Sequence, residues 1–94
     1  MDIGNTIKEI RTKKGLKQNE FAQKCSLTQA YVSKIESNRQ EPTLGVLKII
    51  AEVLQTPLPV LFFHSMTLDD IDPKKQEAFQ IIQPSIKGMI ESFF

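Results

Sequence analysis

Residues 18–35 read QNEFAQKCSLTQAYVSKI, and the spacing of the apolar residues within them decides the fold. The apolar residues of 21–25 fall on one face of a first helix, and those of 32–35 fall on one face of a second helix. The residues are Phe21, Ala22 and Cys25 on the first segment, Val32 and Ile35 on the second, and Leu27 between them. The pattern predicts two short helices that share one small core.

Ala22 and Thr28 indicate how these two helices meet. Helices that cross steeply through a turn of three or four residues leave room for only a small side chain at their contact, and Ala22 supplies one. Thr28 precedes the second helix, where its hydroxyl can accept a backbone N–H that has no partner within the helix. The stretch therefore predicts a helix-turn-helix.

The outward face of the second helix carries hydrogen-bonding groups and no acid. Its residues are Gln29, Ala30, Tyr31, Ser33 and Lys34. Donors and acceptors of this kind match the edges of base pairs in the DNA major groove. We expect this face, together with Thr28, to contact DNA.

The chain resembles the lambda-repressor-like helix-turn-helix family, the XRE or Cro-type regulators of bacteria and phages. The resemblance covers about residues 3–63 and rests on LKQNEFA (16–22), SLTQAYVSKIE (26–36), SNRQEPT (37–43) and LKIIAEVL (47–54). Ser26 departs from the family pattern, which usually has Gly there in a left-handed turn that a Cβ disfavours. We expect a slightly strained turn.

The resemblance implies roles for residues outside the second helix. Gln18 would contact DNA from the start of the first helix of the pair, with Lys17 and Asn19 beside it, and the alternative is a surface glutamine at a helix start. Arg11 and Glu36 would form a partly buried ion pair; from the sequence alone they would be two independent surface charges of little worth. The loop after the second helix would lie along the DNA backbone, with Asn38, Arg39 and Thr43 as phosphate contacts, or would be an exposed loop with no partner.

The implied fold is all-α, a lambda-repressor-like five-helix DNA-binding domain with an additional C-terminal helical tail. We expect a first helix over residues 3–14, a fourth over 44–55 capped by Thr43, and a short fifth helix after Pro57. The domain would span residues 1–64, followed by an acidic linker over 65–72 and the tail over 73–94.

Charge divides the chain into halves of opposite sign. Residues 1–48 hold nine basic and five acidic side chains, a balance of +4, and residues 49–94 hold three and six, a balance of −3. A basic first half favours approach to phosphate even though the net charge is only +1.

Composition excludes several other classes of protein. The 94 residues, 40% hydrophobic and 24% charged, predict one small globular domain. One Cys and one His cannot form an intrachain disulfide or a structural zinc site, and no spacing suggests a catalytic or cofactor site. Since no catalytic constellation is visible, we do not expect an enzyme. Because the sequence has no long apolar run and no leader segment, we expect a cytoplasmic protein that is not membrane-bound.

The tail has the pattern of a helix with one apolar seam. Asp72 and Pro73 suit an N-cap and a first helical position, and Pro84 should kink or split the helix. The seam residues recur at steps of three and four: Phe79, Ile82, Ile86, Met89 and Phe93. The seam could fold back onto the fourth and fifth helices, but we favour a dimer contact because a reader of two half-sites needs one.

The sequence therefore predicts a sequence-specific transcriptional regulator, a repressor or autoregulator, that binds a two-fold symmetric double-stranded DNA operator as a homodimer. The recognition helix, about residues 28–36, would enter the major groove. The alternative is a protein-interaction module, such as an antitoxin or adaptor, whose C-terminal tail binds a partner protein. A scaffold of that kind would have no reason to keep Gln29 and Lys34 on an acid-free face.

Overall fold

The computed structural model describes residues 1–93 and contains six α-helices and no strand within that range. The helices are α1 (Ile3–Lys13), α2 (Gln18–Lys24), α3 (Gln29–Glu36), α4 (Leu44–Val53), α5 (Leu58–Ser65) and α6 (Gln76–Phe93). Two 3-10 turns, Leu68–Asp70 and Pro73–Lys75, connect α5 to α6. The predicted all-α class, five helices followed by a helical tail, is confirmed.

The core lies where α1, α2, α3, α4 and α5 converge. Helix α1 packs against α3 and α5, α2 packs against α3, and α4 packs against α5. The core residues, each at most 5% exposed, are Ile7, Phe21, Ala22, Cys25, Val32, Ile35, Leu47, Ile50, Leu54 and Leu61. Burying each of the larger side chains contributes about 1.5–3 kcal/mol, so this cluster fixes the position of α3 relative to the rest of the domain.

Helices α1 to α4 all end with the same backbone conformation and hydrogen bond. A residue in the left-handed conformation follows each helix: Gly15 (φ 74°), Ser26 (φ 57°), Asn38 (φ 60°) and Gln55 (φ 52°). In each case the next N–H donates to the carbonyl five residues back, as from Leu27 to Ala22 over 2.9 Å. This pairing satisfies carbonyls that the helix end would otherwise leave without partners. Only the first of the four positions is a glycine. Asn38 is of a residue type that tolerates this conformation, so the expected strain at Ser26 is shared by Gln55 alone among the three others.

No single helix of residues 1–93 is both long enough and apolar enough to span a membrane. Helices α4 and α5 meet both conditions only when taken together, and they are bent by 101° relative to each other.

The tail forms one helix, α6, because Pro84 does not split it. Pro84 and Gln80 are both exposed, so the Gln80 carbonyl, which lacks an N–H donor at position 84, can be hydrated. The start differs slightly from the expectation: Pro73 opens a 3-10 turn, in which Asp72 accepts the Lys74 N–H at 2.9 Å, and the α-helix begins at Gln76. Phe94, the last residue of the predicted tail, lies outside the described residues.

Helix α6 lies beside α1 and α5, with which it lines a cleft, and makes few contacts with the domain. Phe79 and Ile90 are half-buried, whereas most of the predicted seam is exposed. Ile86 is 37% exposed and lies at the edge of the exposed face, which also includes Ile81 and the remaining seam residues Ile82, Met89 and Phe93. The tail therefore approaches α1 and α5, not α4 and α5, and leaves a large apolar surface in water.

Candidate nucleic-acid interface

Helix α3 is held by its two buried apolar residues and presents its opposite side to solvent. Val32 and Ile35 are each 1% exposed. The N-terminus is capped as predicted, because the Thr28 hydroxyl accepts the Tyr31 N–H at 3.1 Å. Of the predicted base-reading residues, Gln29, Ala30 and Lys34 are exposed with Thr28, and Tyr31 and Ser33 are half-buried. These residues lie together on one side of the helix.

The one acid on α3 does not disturb that outward face. Glu36 is 6% exposed, and its carboxylate receives two bonds from Arg11 of α1: Nε to Oε2 at 2.7 Å and Nη2 to Oε1 at 3.0 Å. Arg11 also donates from Nη1 to the Leu16 carbonyl at 2.7 Å. The ion pair thus joins α1, the turn before α2, and the end of α3, and it removes the carboxylate from the surface that would face phosphate.

A chain of hydrogen bonds continues from this ion pair to the surface. Gln18, at the start of α2, donates from Nε2 to Glu36 Oε1 at 3.2 Å. Its Oε1 accepts from Gln29 Nε2 at 3.5 Å, a long contact on the exposed side. A glutamine amide has two N–H donors and one carbonyl oxygen. The carbonyl oxygen and one N–H of Gln29 therefore have no hydrogen-bond partner within the described residues, while the other N–H donates to Gln18.

The start of α2 lies beside this chain. Lys17 and Asn19 are exposed and Gln18 is half-buried. The Lys17 backbone N–H is occupied, since it donates to the Glu20 carboxylate at 3.2 Å. What remains for an anion is the Lys17 ammonium with the polar side chains that follow it.

The three candidate phosphate contacts in the loop between α3 and α4 differ in which of their polar groups are free. Thr43 caps α4 as predicted, accepting the Val46 N–H at 3.2 Å, and its hydroxyl proton is left to donate. Arg39 is exposed and donates from Nε to the Ser37 hydroxyl at 2.9 Å, which leaves the outer edge of its guanidinium. Arg39 and Thr43 keep groups that can reach a phosphate.

Asn38 is engaged within the protein. Its Oδ1 accepts the Gly4 N–H at 3.0 Å and its Nδ2 donates to Asp2 at 2.8 Å. A Cβ at Gly4 would overlap the Ile35 carbonyl oxygen and lie 2.5 Å from Asn38 Oδ1, so the two chain segments can approach this closely only with Gly at position 4. Asn38 thereby ties the end of α3 to the beginning of α1.

Sequence reasoning missed two features of this site. One is the Gly4–Asn38 contact, for which the glycine early in an otherwise regular helix was the available signal. The other is the link from Gln18 to Gln29, because nothing in the spacing of two glutamines eleven positions apart indicates that their side chains meet.

Cys25 belongs to the core beneath the interface. Burial raises the pKa of its thiol to about 11, so it is protonated at neutral pH. Within residues 1–93 no cluster of His, Cys, Asp or Glu is arranged to hold a metal ion.

The two short helices, their tight turn and the exposed polar face of the second define a helix-turn-helix protein. The helix-turn-helix family model matches residues 7–61, more than half of the chain. The chain belongs to this family of the XRE type, as its motifs indicated.

The chain is similar to regulatory proteins of Bacillus and of a Bacillus phage. The chain is 37% identical over 54 residues to an immunity repressor protein of Bacillus phage phi105, covering 57% of this chain and 38% of that protein. It is 37% identical over 59 residues to the ImmF control region 10 kDa protein of the same phage, covering 63% and 66%. It is 35% identical over 60 residues to the HTH-type transcriptional regulator SinR of Bacillus subtilis, covering 63% and 54%. The chain thus spans from about two fifths to two thirds of the length of these relatives.

Proposed function

We propose that the protein is a DNA-binding transcriptional regulator, acting as a repressor or autoregulator by occupying an operator. The observation that carries the proposal is the exposed, acid-free side of α3, where the only acid of the helix is buried against Arg11. The names of the phi105 immunity repressor and of SinR agree with it.

The proposed mechanism of base reading centres on Gln29 and Lys34. Gln29 is oriented by Gln18 and keeps one donor and one acceptor free, the pair of groups that adenine N7 and N6 require. Lys34 lies farther along the exposed side and suits guanine. The contact with Gln18 favours one orientation of the Gln29 amide, which should lower the entropy lost on binding.

The proposed anchors to the DNA backbone lie on both sides of α3. Lys17, Gln18 and Asn19 are at the start of α2, and Arg39 and Thr43 are in the loop that follows α3. Phosphate contacts position a protein on the duplex without reading its sequence. Asn38 contributes by holding the loop against α1, since both ends of its side chain are engaged there.

Base reading is tested on an operator obtained by selection from random DNA. Replacing Gln29 or Lys34 with Ala should cost about 1–3 kcal/mol on the selected operator and much less on random DNA, as expected for a bidentate base contact. Gln23→Ala, at an exposed glutamine of α2 outside the predicted set, is the matched control. Equal losses on both DNAs would show that the two side chains touch only the backbone.

Backbone anchoring predicts a different signature. Arg39→Ala should weaken all DNA sequences alike and reduce the slope of log affinity against log salt by about 0.9 per lost phosphate contact. Lys74→Ala removes a lysine from the start of the tail and should leave the slope unchanged. If the Arg39 variant also keeps the wild-type slope, Arg39 is not at the interface.

We further propose that the regulator is a homodimer formed through α6 and that its operator is two-fold symmetric. The exposed apolar side chains of α6, among them Ile82 at 51% and Met89 at 64%, form a surface of the kind that marks an interaction site. A dimer would bury this surface and would join two recognition helices for adjacent half-sites.

The dimer is tested with Ile82→Glu combined with Met89→Glu. Because both side chains are exposed, the variant should keep its fold, sediment as a monomer, and lose operator affinity through lost avidity. Ile49→Glu, at a residue of α4 that is 42% exposed, is the control. Dissociation by the control variant would move the interface to α4. A wild-type monomer at micromolar concentration would refute the dimer and leave α6 to a partner protein.

A further inference from the structure

A cleft of about 300 Å³ lies between α1, α5 and α6, on the side of the domain formed by the tail. Its walls combine apolar and basic side chains. Ile10, Val60 and Ile90 contribute apolar surface from the three helices in turn. Three lysines stand around them: Lys13, Lys14 and Lys87. A cleft of this volume is at the small end of the range for ligand pockets.

The lysines of the cleft form no ion pair within the described part of the chain. Neither ion pair found in residues 1–93 involves Lys13, Lys14 or Lys87. Glu9 and Glu91 also line the cleft, so three ammonium groups face two carboxylates. Burial lowers the pKa of His64, the remaining titratable group, and the nearby Lys87 ammonium lowers it further. His64 is therefore neutral at pH 7, and the cleft has an excess of one positive charge.

The hydroxyl groups in the cleft offer little to a neutral polar ligand. Thr6 donates its hydroxyl proton to the Asp2 carbonyl at 2.8 Å and approaches the His64 carbonyl at 3.3 Å. The Thr56 hydroxyl donates to the Leu54 carbonyl at 3.2 Å. Because these donors are occupied, a ligand would meet chiefly the three lysine ammoniums and the apolar walls, beside the Glu9 and Glu91 carboxylates and the His64 ring.

We infer that this cleft binds a small amphipathic anion, a compound with an apolar body and a single anionic group. The apolar body would lie between Val60 and Ile90, and the anionic group would meet Lys87 and the lysines at the end of α1. The inference goes beyond the proposed regulation of DNA and does not depend on it. Since α6 supplies one wall, an occupant would also hold the tail against α1.

The test uses 1-anilinonaphthalene-8-sulfonate, a fluorescent amphipathic anion, and its uncharged analogue N-phenyl-1-naphthylamine, without any DNA. The sulfonate should bind once per chain with a Kd on the order of tens of micromolar, the affinity expected from its size. The analogue has the same apolar body and should bind at least about tenfold more weakly, because it lacks the charge that the lysines attract.

Variants separate the cleft from the exposed face of α6, which could also attract the probe. Lys87→Glu reverses one charge of the cleft and should weaken binding at least about tenfold. Val60→Trp should fill the cleft and abolish binding. Ile82→Glu, on the exposed face of the same helix, and Lys74→Glu, outside the cleft, should leave binding unchanged. Far-UV circular dichroism checks that each variant is folded.

Three results would overturn the inference. They are equal binding of the sulfonate and its uncharged analogue, loss of binding in Ile82→Glu with retention in Lys87→Glu, and no binding by the wild type at millimolar probe. Lys87 is exposed, so its variant should fold and gives a decisive result even if Val60→Trp does not fold. None of these outcomes bears on operator binding, which is measured separately.

Discussion

Replacing Arg11 with Met should destabilise the domain more than any surface substitution. The guanidinium makes three hydrogen bonds of 2.7–3.0 Å, two to the Glu36 carboxylate and one to the Leu16 carbonyl. Met fills a similar volume but leaves Glu36, which is 6% exposed, without its counter-charge. Breaking a buried pair from one side costs about 3–5 kcal/mol, because the remaining charge is desolvated and unpaired. Domains of this size have a free energy of unfolding of about 5–15 kcal/mol in total.

Urea unfolding followed by far-UV circular dichroism measures this loss. The double variant Arg11→Met, Glu36→Leu should recover most of the stability, since apolar replacement of a whole buried pair is often neutral. Lys8→Met is the matched control on α1, because Lys8 is exposed and should change the free energy of unfolding by less than about 0.5 kcal/mol. The reasoning fails if Arg11→Met costs less than about 1 kcal/mol, or if the double variant is as unstable as the single one.

Three further predictions concern the backbone, the thiol and the N-terminal contact. Ser26→Gly should raise the free energy of unfolding by about 1 kcal/mol, because Ser26 has a φ of 57°. The same change at Ser33, within α3, should lower the free energy of unfolding. No gain at Ser26 would mean that the turn is unstrained. Cys25 should react with a disulfide reagent at pH 8 about a hundredfold more slowly in the folded than in the unfolded protein, because burial raises its pKa from 9.0 to about 11, and equal rates would contradict that burial. Since the folded state then holds the proton more tightly than the unfolded one, stability should fall as pH rises from 9 toward 11. Asn38→Gly should cost about 1–3 kcal/mol, because it keeps the left-handed backbone but removes the bonds to Gly4 and Asp2, and a neutral result in urea unfolding would refute this role.

The central fold could be predicted from the sequence because its signals are local and agree with one another. Phe21, Val32 and Ile35 stand at helical spacing and are fully buried. Thr28 and Thr43 were recognisable as caps because a hydroxyl before an apolar periodic segment has one common use. Helix α1 ends one residue and α4 two residues before the predicted end, because the last predicted residues belong to the turn that closes each helix.

The tail could not be predicted to the same depth. The spacing of the seam residues predicts which face of the helix is apolar, but not which surface that face contacts. In the structure Ile90 is half-buried and Met89 is exposed. Pro84 was expected to kink or to split the helix, and it does not split it, because Pro84 lies on the exposed side of α6. The position of a helix that touches its domain lightly depends on many weak contacts, which no local pattern encodes.

In the candidate interface, residues predicted to stabilise the domain and residues predicted to contact DNA are connected by hydrogen bonds. Arg11 and Glu36 were expected to act in stability alone, and Gln18 and Gln29 in DNA contact alone. Their side chains form one continuous series, in which each amide is oriented by the group beneath it. A change at Glu36 would therefore release Gln18, and through it the amide of Gln29. Stability of the domain and fidelity of base reading should fall together when the buried end of this series is altered, and base reading alone should fall when the exposed end is altered.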